Sequence, residues 1–321
     1  MVKLKDKTIL VTGGTGFIGS HLCEELLSQD ASVICLDNFS QSSPENVQSF
    51  KDNPKFSLIK VDCNNYKELK SVFEKNRIDF VFHYAATVGV KRTQEDPLRV
   101  LEDIEGIKNI FKLSHLYKIK KIVFASSSEV YGEPVELPEK EESVLNARIP
   151  YAQVKLIGES YAKAYWDSYK LPTVSLRFFN VYGPRQESSD YGFVVGIFMK
   201  QVIDGRNPSV VNDGSMTRNF VYVKDNIMAA IKTLFTEKVN GEVLNIGTGQ
   251  SITILQLAEK IIEISKRDLM ITFIKPRNDH EILHRKPDIS KQMSLLEYQP
   301  TFSLNEGLEL TYKWYLDILK T

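Results

Sequence analysis

Short runs of apolar and β-branched residues recur along the chain, and segments with helical spacing of apolar positions lie between them. The runs lack polar alternation, which is typical of strands that are covered on both faces of a sheet. Helices between successive strands favour crossovers that keep the strands parallel. The pattern therefore predicts an α/β fold with a doubly wound parallel sheet, whose strands begin near Thr8, Ser32, Phe56, Asp79, Lys121, Thr173 and Val243.

A glycine-rich turn follows the first predicted strand in "TILVTGGTGFIGSHL". The spacing of Gly13, Gly16 and Gly19 lets the backbone approach a pyrophosphate at the N-terminus of the next helix. The second strand ends on Asp37, and a carboxylate there accepts hydrogen bonds from an adenosine ribose and repels a 2′-phosphate. We therefore predict a Rossmann domain that binds NAD rather than NADP. Asp62, after the third strand, either contacts the adenine or only caps the strand.

The fifth predicted strand ends in three hydroxyl side chains, in "KIVFASSSEVYGEP". Ligands of parallel sheets bind beyond the carboxyl ends of the strands, which is where Ser126, Ser127 and Ser128 emerge. A Tyr four residues before a Lys shares one helix face with it, and the ammonium there favours the phenolate. This pattern occurs three times, at Tyr66 and Lys70, Tyr117 and Lys121, and Tyr151 and Lys155.

Context favours Tyr151 and Lys155, because Pro150 opens a long helix there soon after the serine-ended strand. A reacting sugar hydroxyl or carbonyl would then lie between this phenol and the serines. A free tyrosine has a pKa of about 10, so a base that works near neutrality needs it lowered by about 3 units. We expect Lys155 and an oxidised nicotinamide to lower the pKa of Tyr151 together.

Composition narrows the class of protein. The chain is 42% hydrophobic and 26% charged, as in soluble globular domains. Lys plus Arg (41) equals Asp plus Glu (41), so we expect neither nucleic acid nor a membrane as a partner. Cys23, Cys35 and Cys63 lie in apolar segments without metal or redox spacing, and no signal peptide is expected before the first strand. We therefore expect reduced thiols, no metal and a cytoplasmic location.

The length of 321 residues allows two domains, at about 150 residues each. The alternation of strands and helices weakens after Asn180 and resumes in "VLNIGTG". We expect an NAD-binding Rossmann domain over residues 1–180. Residues 181–321 are expected to form mainly a smaller C-terminal α/β domain that binds the substrate, with segments near 220–250 crossing back to the first domain.

Motifs along nearly the whole chain resemble the extended short-chain dehydrogenase/reductases that modify nucleotide sugars, the NAD-dependent nucleotide-sugar epimerases and dehydratases. The motifs are "TGGTGFIGSHL", "LDNF", "HYAATVGV", "SSSEVYGEP", "YAQVK", "LRFFNVYGPRQ", "RNFVYVKD" and "NIGTG". The resemblance implies NAD as cofactor and a nucleotide-diphosphate sugar as substrate. It implies a cofactor site made of Gly13, Gly16, Phe17, Ile18, Gly19, Asp37, Asn38, Asp62, Ala85, Ala86, Tyr151 and Lys155.

The same resemblance implies roles around the sugar. Ser127 would bond the reacting C4 oxygen, Tyr151 would act as acid and base, Lys155 would assist it, and Glu129 would handle a proton or position the sugar. The implied substrate ligands are Asn180 and Arg218 near the diphosphate, Arg185 near a C6 carboxylate, and Arg277, with Arg285 competing for the same role.

Several departures from the family pattern bear on the branch. Asp103 and Ile107 stand where relatives often have Asn and Thr, and Val88 replaces a cofactor-contacting lysine of some 4-epimerases. Ser128 lacks the carboxylic acid that protonates a departing C6 hydroxyl in many dehydratases. "YAQVK" also differs from the motif usual in decarboxylases.

The resemblance implies a shared first step, oxidation of the sugar C4 hydroxyl to a ketone. We rank a 4-epimerase first, followed by a 4,6-dehydratase or decarboxylase and then a 4-dehydrogenase that releases the ketone. A non-catalytic NAD-binding regulatory protein is a remote alternative, because Ser127, Tyr151 and Lys155 are all present. Relatives pair two apolar helices with a second subunit, so we expect a homodimer built on a four-helix bundle.

Overall fold

The strands form one large sheet and two small ones in the computed structural model, which describes residues 4–189, 191–275 and 282–319. They are β1 (Thr8–Thr12), β2 (Ser32–Asp37), β3 (Phe56–Lys60), β4 (Phe80–His83), β5 (Lys121–Ser127), β6 (Thr173–Phe178), β7 (Asn180–Tyr182), β8 (Ser209–Val211), β9 (Thr217–Tyr222), β10 (Glu242–Ile246), β11 (Ser251–Thr253) and β12 (Thr272–Ile274). The large sheet has seven strands in the order β10-β6-β5-β4-β1-β2-β3. Its pairings are all parallel, which confirms the predicted fold class.

Helices cover both faces of this sheet. They are α1 (Phe17–Ser28), α2 (Tyr66–Lys75), α3 (Val90–Glu95), α4 (Pro97–Leu116), α5 (Pro150–Tyr169), α6 (Val194–Ile203), α7 (Val223–Thr233), α8 (Ile254–Ser265), α9 (Ser290–Leu296) and α10 (Leu304–Leu319). Successive residues of β1 pack on opposite faces of the sheet. Ile9 and Val11 pack with α1 and α7, whereas Leu10 packs with α2, α4 and α5. Continuous apolar runs follow from this double burial.

The edge strand β3 is an exception to the predicted burial. Ser57, Leu58 and Lys60 are exposed, and β3 pairs with β2 alone. The expectation that every predicted strand is covered on both faces is therefore wrong for β3, because an edge strand lies at the limit of the helical layers.

The C-terminal part of the chain builds a smaller unit over the carboxyl edge of the large sheet. β7, β9 and β11 form a three-stranded sheet, and β8 pairs with β12. The chain returns to the large sheet through α7, which contacts α1, and through β10, which pairs with β6. The division into domains near residue 180 stays a prediction.

The order of the strands locates the crevice for a ligand. From β1 the chain adds β2 and β3 on one side, and it then returns to add β4, β5 and β6 on the other side of β1. The direction of the crossovers therefore reverses between β1 and β4. In open α/β sheets, ligands bind outside the carboxyl ends of the strands at such a switch point. No helix in the described part of the chain is both long and apolar enough to span a bilayer.

Candidate active site

A cavity of about 1960 Å³ opens at the carboxyl ends of β1, β4 and β5. Its wall runs from the glycine turn after β1 to the serines that end β5, the first turns of α5 and residues of β9. Every residue that we predict for the cofactor site lines this wall: Gly13, Gly16, Phe17, Ile18, Gly19, Asp37, Asn38, Asp62, Ala85, Ala86, Tyr151 and Lys155. The predicted cofactor residues and catalytic residues therefore share one cavity.

The glycine turn makes a cradle that side chains would fill. Gly13 has a φ of +67°, and a Cβ there would lie 2.7 Å from the backbone nitrogen of Ala85. A Cβ on Gly19 would lie 2.1 Å from the Gly13 carbonyl oxygen, so helix α1 can approach the turn only without one. The backbone N–H groups at the start of α1 are therefore accessible to a phosphate group. These residues fit the pyrophosphate of NAD.

Acidic side chains at the ends of β2 and β3 continue the cradle. Asp37 is buried, and its carboxylate accepts hydrogen bonds from the Thr15 N–H at 3.1 Å and the Ser42 hydroxyl at 2.9 Å. The Asn38 amide donates to Asp62 at 3.0 Å. A carboxylate held at the end of β2 suits the ribose hydroxyls of NAD and disfavours the 2′-phosphate of NADP.

The phenol of Tyr151 and the hydroxyl of Ser127 both lie on the cavity wall, close enough that Ser127 lowers the pKa of the phenol. Lys155, one turn further along α5, donates from Nζ to the Ala125 carbonyl at 2.7 Å and lies 5.5 Å from the centre of the Tyr151 ring. Helix α5 therefore places the phenol and the ammonium beside the end of β5.

Burial dominates the protonation of these two groups. It raises the pKa of Tyr151 to about 12, whereas the nearby Ser127 hydroxyl lowers this pKa. Burial lowers the pKa of Lys155 to about 8, against the negative charge of Asp103, which raises it. The protein atoms alone therefore raise the pKa of Tyr151, and its lowering by Lys155 and an oxidised nicotinamide acting together stays a prediction.

The other two Tyr-x-x-x-Lys pairs have structural partners away from the cavity wall. Lys70 pairs with Glu74 on the exposed face of α2. Lys121 begins β5 at the opposite edge of the sheet, where its Nζ donates to the Thr233 carbonyl at 2.7 Å. Of the three pairs, Tyr151 and Lys155 line the cavity, and their catalytic role stays a prediction.

Glu129 follows the serines and lines the cavity, and Arg285 lies directly behind it. The Arg285 side chain is 1% exposed, with Nη2 3.1 Å from a Glu129 carboxylate oxygen and Nη1 3.0 Å from Glu139. Its Nη1 also donates to the Ser128 carbonyl at 2.5 Å. Arg285, predicted to bind the substrate directly, is therefore absent from the cavity wall and holds Glu129 from inside the protein.

The remaining predicted substrate ligands are spread along the wall. Asn180 and Arg218 line the cavity, whereas Arg277 lies outside the described residues. Arg185 also lines it but lies against α1, where Nη2 is 2.7 Å from Glu24. Arg185 thus lies on the side of the glycine turn rather than beside Ser127 and Tyr151.

His83 and Asp103 also line the cavity, and the sequence analysis assigned a role to neither of them. His83 ends β4, and its Nδ1 lies 2.8 Å from the Thr12 hydroxyl. Asp103 accepts a hydrogen bond from the Thr87 N–H at 2.6 Å, which fixes the loop after β4. The position of His83 at the end of a predicted strand was the available signal. The contact of Asp103 depends on a loop whose path no local pattern predicts.

Comparison with known proteins gives the family of the chain. Residues 9–247 match the model of the NAD dependent epimerase/dehydratase family. A UDP-N-acetyl-alpha-D-glucosaminuronate decarboxylase of Bacillus cytotoxicus is 35% identical over 97% of this chain and 98% of its own. A putative UDP-glucose 4-epimerase of Methanocaldococcus jannaschii is 36% identical, over 95% of this chain and 97% of its own.

A solved structure extends the likeness to three dimensions. The UDP-N-acetylglucosamine 4-epimerase of Methanobrevibacter ruminantium, in complex with UDP-N-acetylmuramic acid, superposes with a TM-score of 0.92 and 34% identity. The alignment covers 98% of this chain and 99% of that one. The resemblance drawn from the motifs is confirmed, and the chain is an enzyme that belongs to the NAD dependent epimerase/dehydratase family.

Proposed function

We propose that this enzyme oxidises the C4 hydroxyl of a nucleotide-diphosphate sugar and acts as a 4-epimerase. The observation that carries the proposal is that Ser127, Tyr151 and Lys155 lie together on the wall of the cavity that also contains the glycine turn. A sugar hydroxyl beside both oxygens would contact an acid/base and a second hydroxyl that orients it.

The reaction begins with a proton transfer to Tyr151. Its phenolate takes the proton of the C4 hydroxyl, while Ser127 holds the oxygen in place. Lys155 assists as a cation, because a pKa of about 8 leaves it mainly protonated near neutrality and an ammonium beside the ring favours the phenolate. Bound NAD supplies the hydride chemistry at C4, held by the glycine cradle and Asp37.

Epimerisation needs no further group at C5 or C6. The 4-keto sugar would turn in the cavity and present its other face for reduction, and Tyr151 would return the proton to the C4 oxygen. The 4-epimerase names of the Methanocaldococcus and Methanobrevibacter relatives support this outcome. We place the sugar between Tyr151 and β9, with Asn180 and Arg218 toward the diphosphate, because a guanidinium matches phosphate oxygens in geometry and charge.

A second candidate, decarboxylation of a uronic acid sugar, is favoured by Glu129 and Arg285. A C6 carboxylate becomes labile once C4 is a ketone, since the electrons of the broken C5–C6 bond enter an enolate. A proton must then reach C5. Glu129 lies close to Ser127 and is held by the buried Arg285, so its carboxylate is fixed on the cavity wall. The Bacillus cytotoxicus relative carries this activity in its name.

Product analysis separates the candidates. Purified protein with NAD would be offered UDP-glucose, UDP-N-acetylglucosamine and the corresponding uronic acids, with products followed by mass spectrometry and NMR. We expect unchanged mass and inverted C4. Loss of carbon dioxide from a uronic acid would replace the epimerase with the decarboxylase.

The Tyr151→Phe variant tests the shared first step. It removes one oxygen and keeps the ring, so it should fold normally and lose at least about 100-fold in kcat, the usual contribution of a general acid/base. Turnover at the wild-type rate by this variant would refute the proposed role of Tyr151 and with it both candidates.

We also propose a homodimer through α4 and α5. These helices pack side by side, and Leu98, Leu101 and Leu116 leave one stripe of α4 exposed. Tyr169, at the end of α5, is 56% exposed although its ring centre lies 4.1 Å from that of His115. Pairing this surface with its own copy would bury apolar side chains in a four-helix bundle.

A further inference from the structure

A buried ion pair lies behind the serine-ended strand, away from the residues assigned above. Arg177 in β6 and Glu159 in α5 have side chains that are only 3% and 8% exposed. The guanidinium donates to both carboxylate oxygens, from Nη2 at 2.7 Å and from Nε at 2.9 Å. Desolvation offsets much of the attraction in such a pair, so it is a weak source of net stability. The contacts that the pair makes with its surroundings are therefore more informative.

The carboxylate of Glu159 also binds the strand that carries Ser127. The Ser126 hydroxyl donates to Glu159 Oε1 at 2.5 Å. Ser126 and Arg177 are register partners in neighbouring parallel strands, so their side chains point to the same face of the sheet, which α5 covers. Ser126, Glu159 and Arg177, here called the Glu159 clamp, thus tie the end of β5 to α5.

The clamp lies on the same stripe of α5 as the reacting groups. Tyr151, Lys155 and Glu159 are spaced by four residues and share one helix face. Lys155 binds the Ala125 carbonyl and Glu159 binds Ser126, so two successive residues of β5 are held one helical turn apart. The next residue of the strand is Ser127, and the preceding turn of the helix carries Tyr151.

Arg177 extends the clamp to the segment after Ser127. Its Nη1 donates to the Tyr131 hydroxyl at 2.9 Å and to the Glu141 carbonyl at 3.0 Å. Tyr131 closes the short turn Ser128–Tyr131, which contains Glu129. One guanidinium therefore holds both the carboxylate behind Ser126 and the turn that follows Ser127.

We propose that Glu159, fixed by Arg177, is a positioning residue that sets the distance between the Tyr151 phenol and the Ser127 hydroxyl. The inference rests on the proposed function, in which both oxygens contact the C4 hydroxyl of the sugar. A misplacement of about 1 Å can cost about 100-fold in rate. A link of one hydrogen bond between β5 and α5 is short enough to control a distance on that scale.

Two serine substitutions test the proposal. Ser126→Ala removes the hydroxyl that joins the clamp to β5 and leaves the ion pair in place. Ser175→Ala is the matched control, because Ser175 is a buried serine of β6 beside Phe124, and its hydroxyl has no hydrogen-bond partner among the described residues. For each NAD-saturated protein, kcat, KM and NAD affinity would be measured. The pKa of Tyr151 would be followed by NMR of isotope-labelled tyrosine, with Tyr151→Phe to assign the signal.

We expect Ser126→Ala to lower kcat about 10-fold and to leave KM and NAD affinity near wild type. The loss is smaller than the about 100-fold that a misplacement of about 1 Å can cost, because Lys155 still holds β5. The pKa of Tyr151 should rise, because Ser127 would donate less well to the phenolate, and Ser175→Ala should match wild type. Equal values for the two variants would overturn the proposal. If wild type converts no nucleotide sugar, the proposed function fails, and the Tyr151 titration alone decides: a shift confined to Ser126→Ala supports the positioning role and no shift overturns it.

Discussion

His83 is a buried base whose protonation opposes folding. Burial and the nearby charge of Lys155 lower the pKa of its ring to about 3 in the folded protein, whereas an unfolded chain has a histidine pKa of about 6.5. Thr12 accepts hydrogen bonds from the N–H groups of Tyr84 and Ala85, so its own hydrogen is directed at His83 Nδ1. The ring is therefore neutral in the folded protein near pH 7.

We predict that His83 makes the protein sensitive to mild acid. Between pH 6.5 and about 3 the unfolded chain binds a proton at this residue that the folded protein does not, so stability falls as pH falls. His83→Asn keeps a polar group near Thr12 and removes the titration. Urea unfolding at pH 7 and pH 5 should show a stability loss smaller by up to about 2 kcal/mol in the variant. His284→Gln, which changes an exposed histidine beside Thr217, is the control. An equal acid loss in wild type and His83→Asn would refute the prediction.

For single residues, the sequence predicts a position on the cavity wall best where that position depends on local spacing. Gly13, Gly16 and Gly19 line the cavity as predicted because one turn and one helix fix their relation. The arginines depend on chain paths that no local motif specifies. Arg185 adopts a left-handed backbone conformation, with φ of 66°, and forms an ion pair with Glu24. Arg285 is buried, where it forms ion pairs with Glu139 and Glu129.

The contact between α5 and β5 depends on one helical glycine. A Cβ on Gly158 would lie 2.0 Å from Cζ of Phe124. The Phe124 ring belongs to the core between the sheet and helices α2, α4 and α5. The absence of a side chain therefore lets α5 approach the strand closely enough for Lys155 and Glu159 to reach it.

We predict that Gly158→Ala destabilises the protein although alanine is the better helix former. Overpacking of a core typically costs about 1–3 kcal/mol, more than the helix gains of up to about 1 kcal/mol. Urea unfolding would measure the loss. Ser160→Ala, on the exposed side of the same helix, is the matched control and should be neutral or slightly stabilising. A stability equal to wild type in Gly158→Ala would show that α5 can move away from Phe124 at no cost.

The long elements followed from the sequence better than the short ones. The predicted strands starting at Thr8, Ser32 and Lys121 begin at those residues in the structure, because burial on both faces leaves an unbroken apolar run. The three-residue strands β7, β8, β11 and β12 lack such a signal. They form because partners distant in the chain meet them, and hydrophobic periodicity does not report such pairing.

At the scale of the whole molecule, one buried acid joins the C-terminal segment to the large unit. Asp225 in α7 accepts hydrogen bonds from the Tyr298 hydroxyl, from the N–H and hydroxyl of Thr301, and from the Phe302 N–H, at 2.8–3.0 Å. Helix α7 packs on α1, the helix that follows the glycine turn. The segment before α10 is thus anchored close to the cofactor side of the cavity, an arrangement that depends on residues far apart in sequence.

The proposed dimer can be tested with one substitution in α4. Leu116 is 55% exposed at the end of α4, on the stripe that we assign to the four-helix bundle. A two-fold interface repeats every substitution, so Leu116→Glu would bury two unpaired charges of equal sign. Each buried charge costs several kcal/mol, enough to separate the subunits at micromolar concentration. Light scattering should report twice the chain mass for wild type and the chain mass for Leu116→Glu.

The control is Met270→Glu, which changes a side chain that is 75% exposed in the smaller unit, far along the chain from α4. It should keep the mass of wild type. A monomeric wild type would refute the dimer, whereas a dimeric Leu116→Glu would exclude α4 as its interface. Tyr151 and Lys155, the proposed reacting groups, lie at the opposite end of α5 from Tyr169, and one chain supplies the cavity wall that contains them. A monomeric Leu116→Glu variant should therefore retain turnover, which tests whether dimerisation serves stability rather than catalysis.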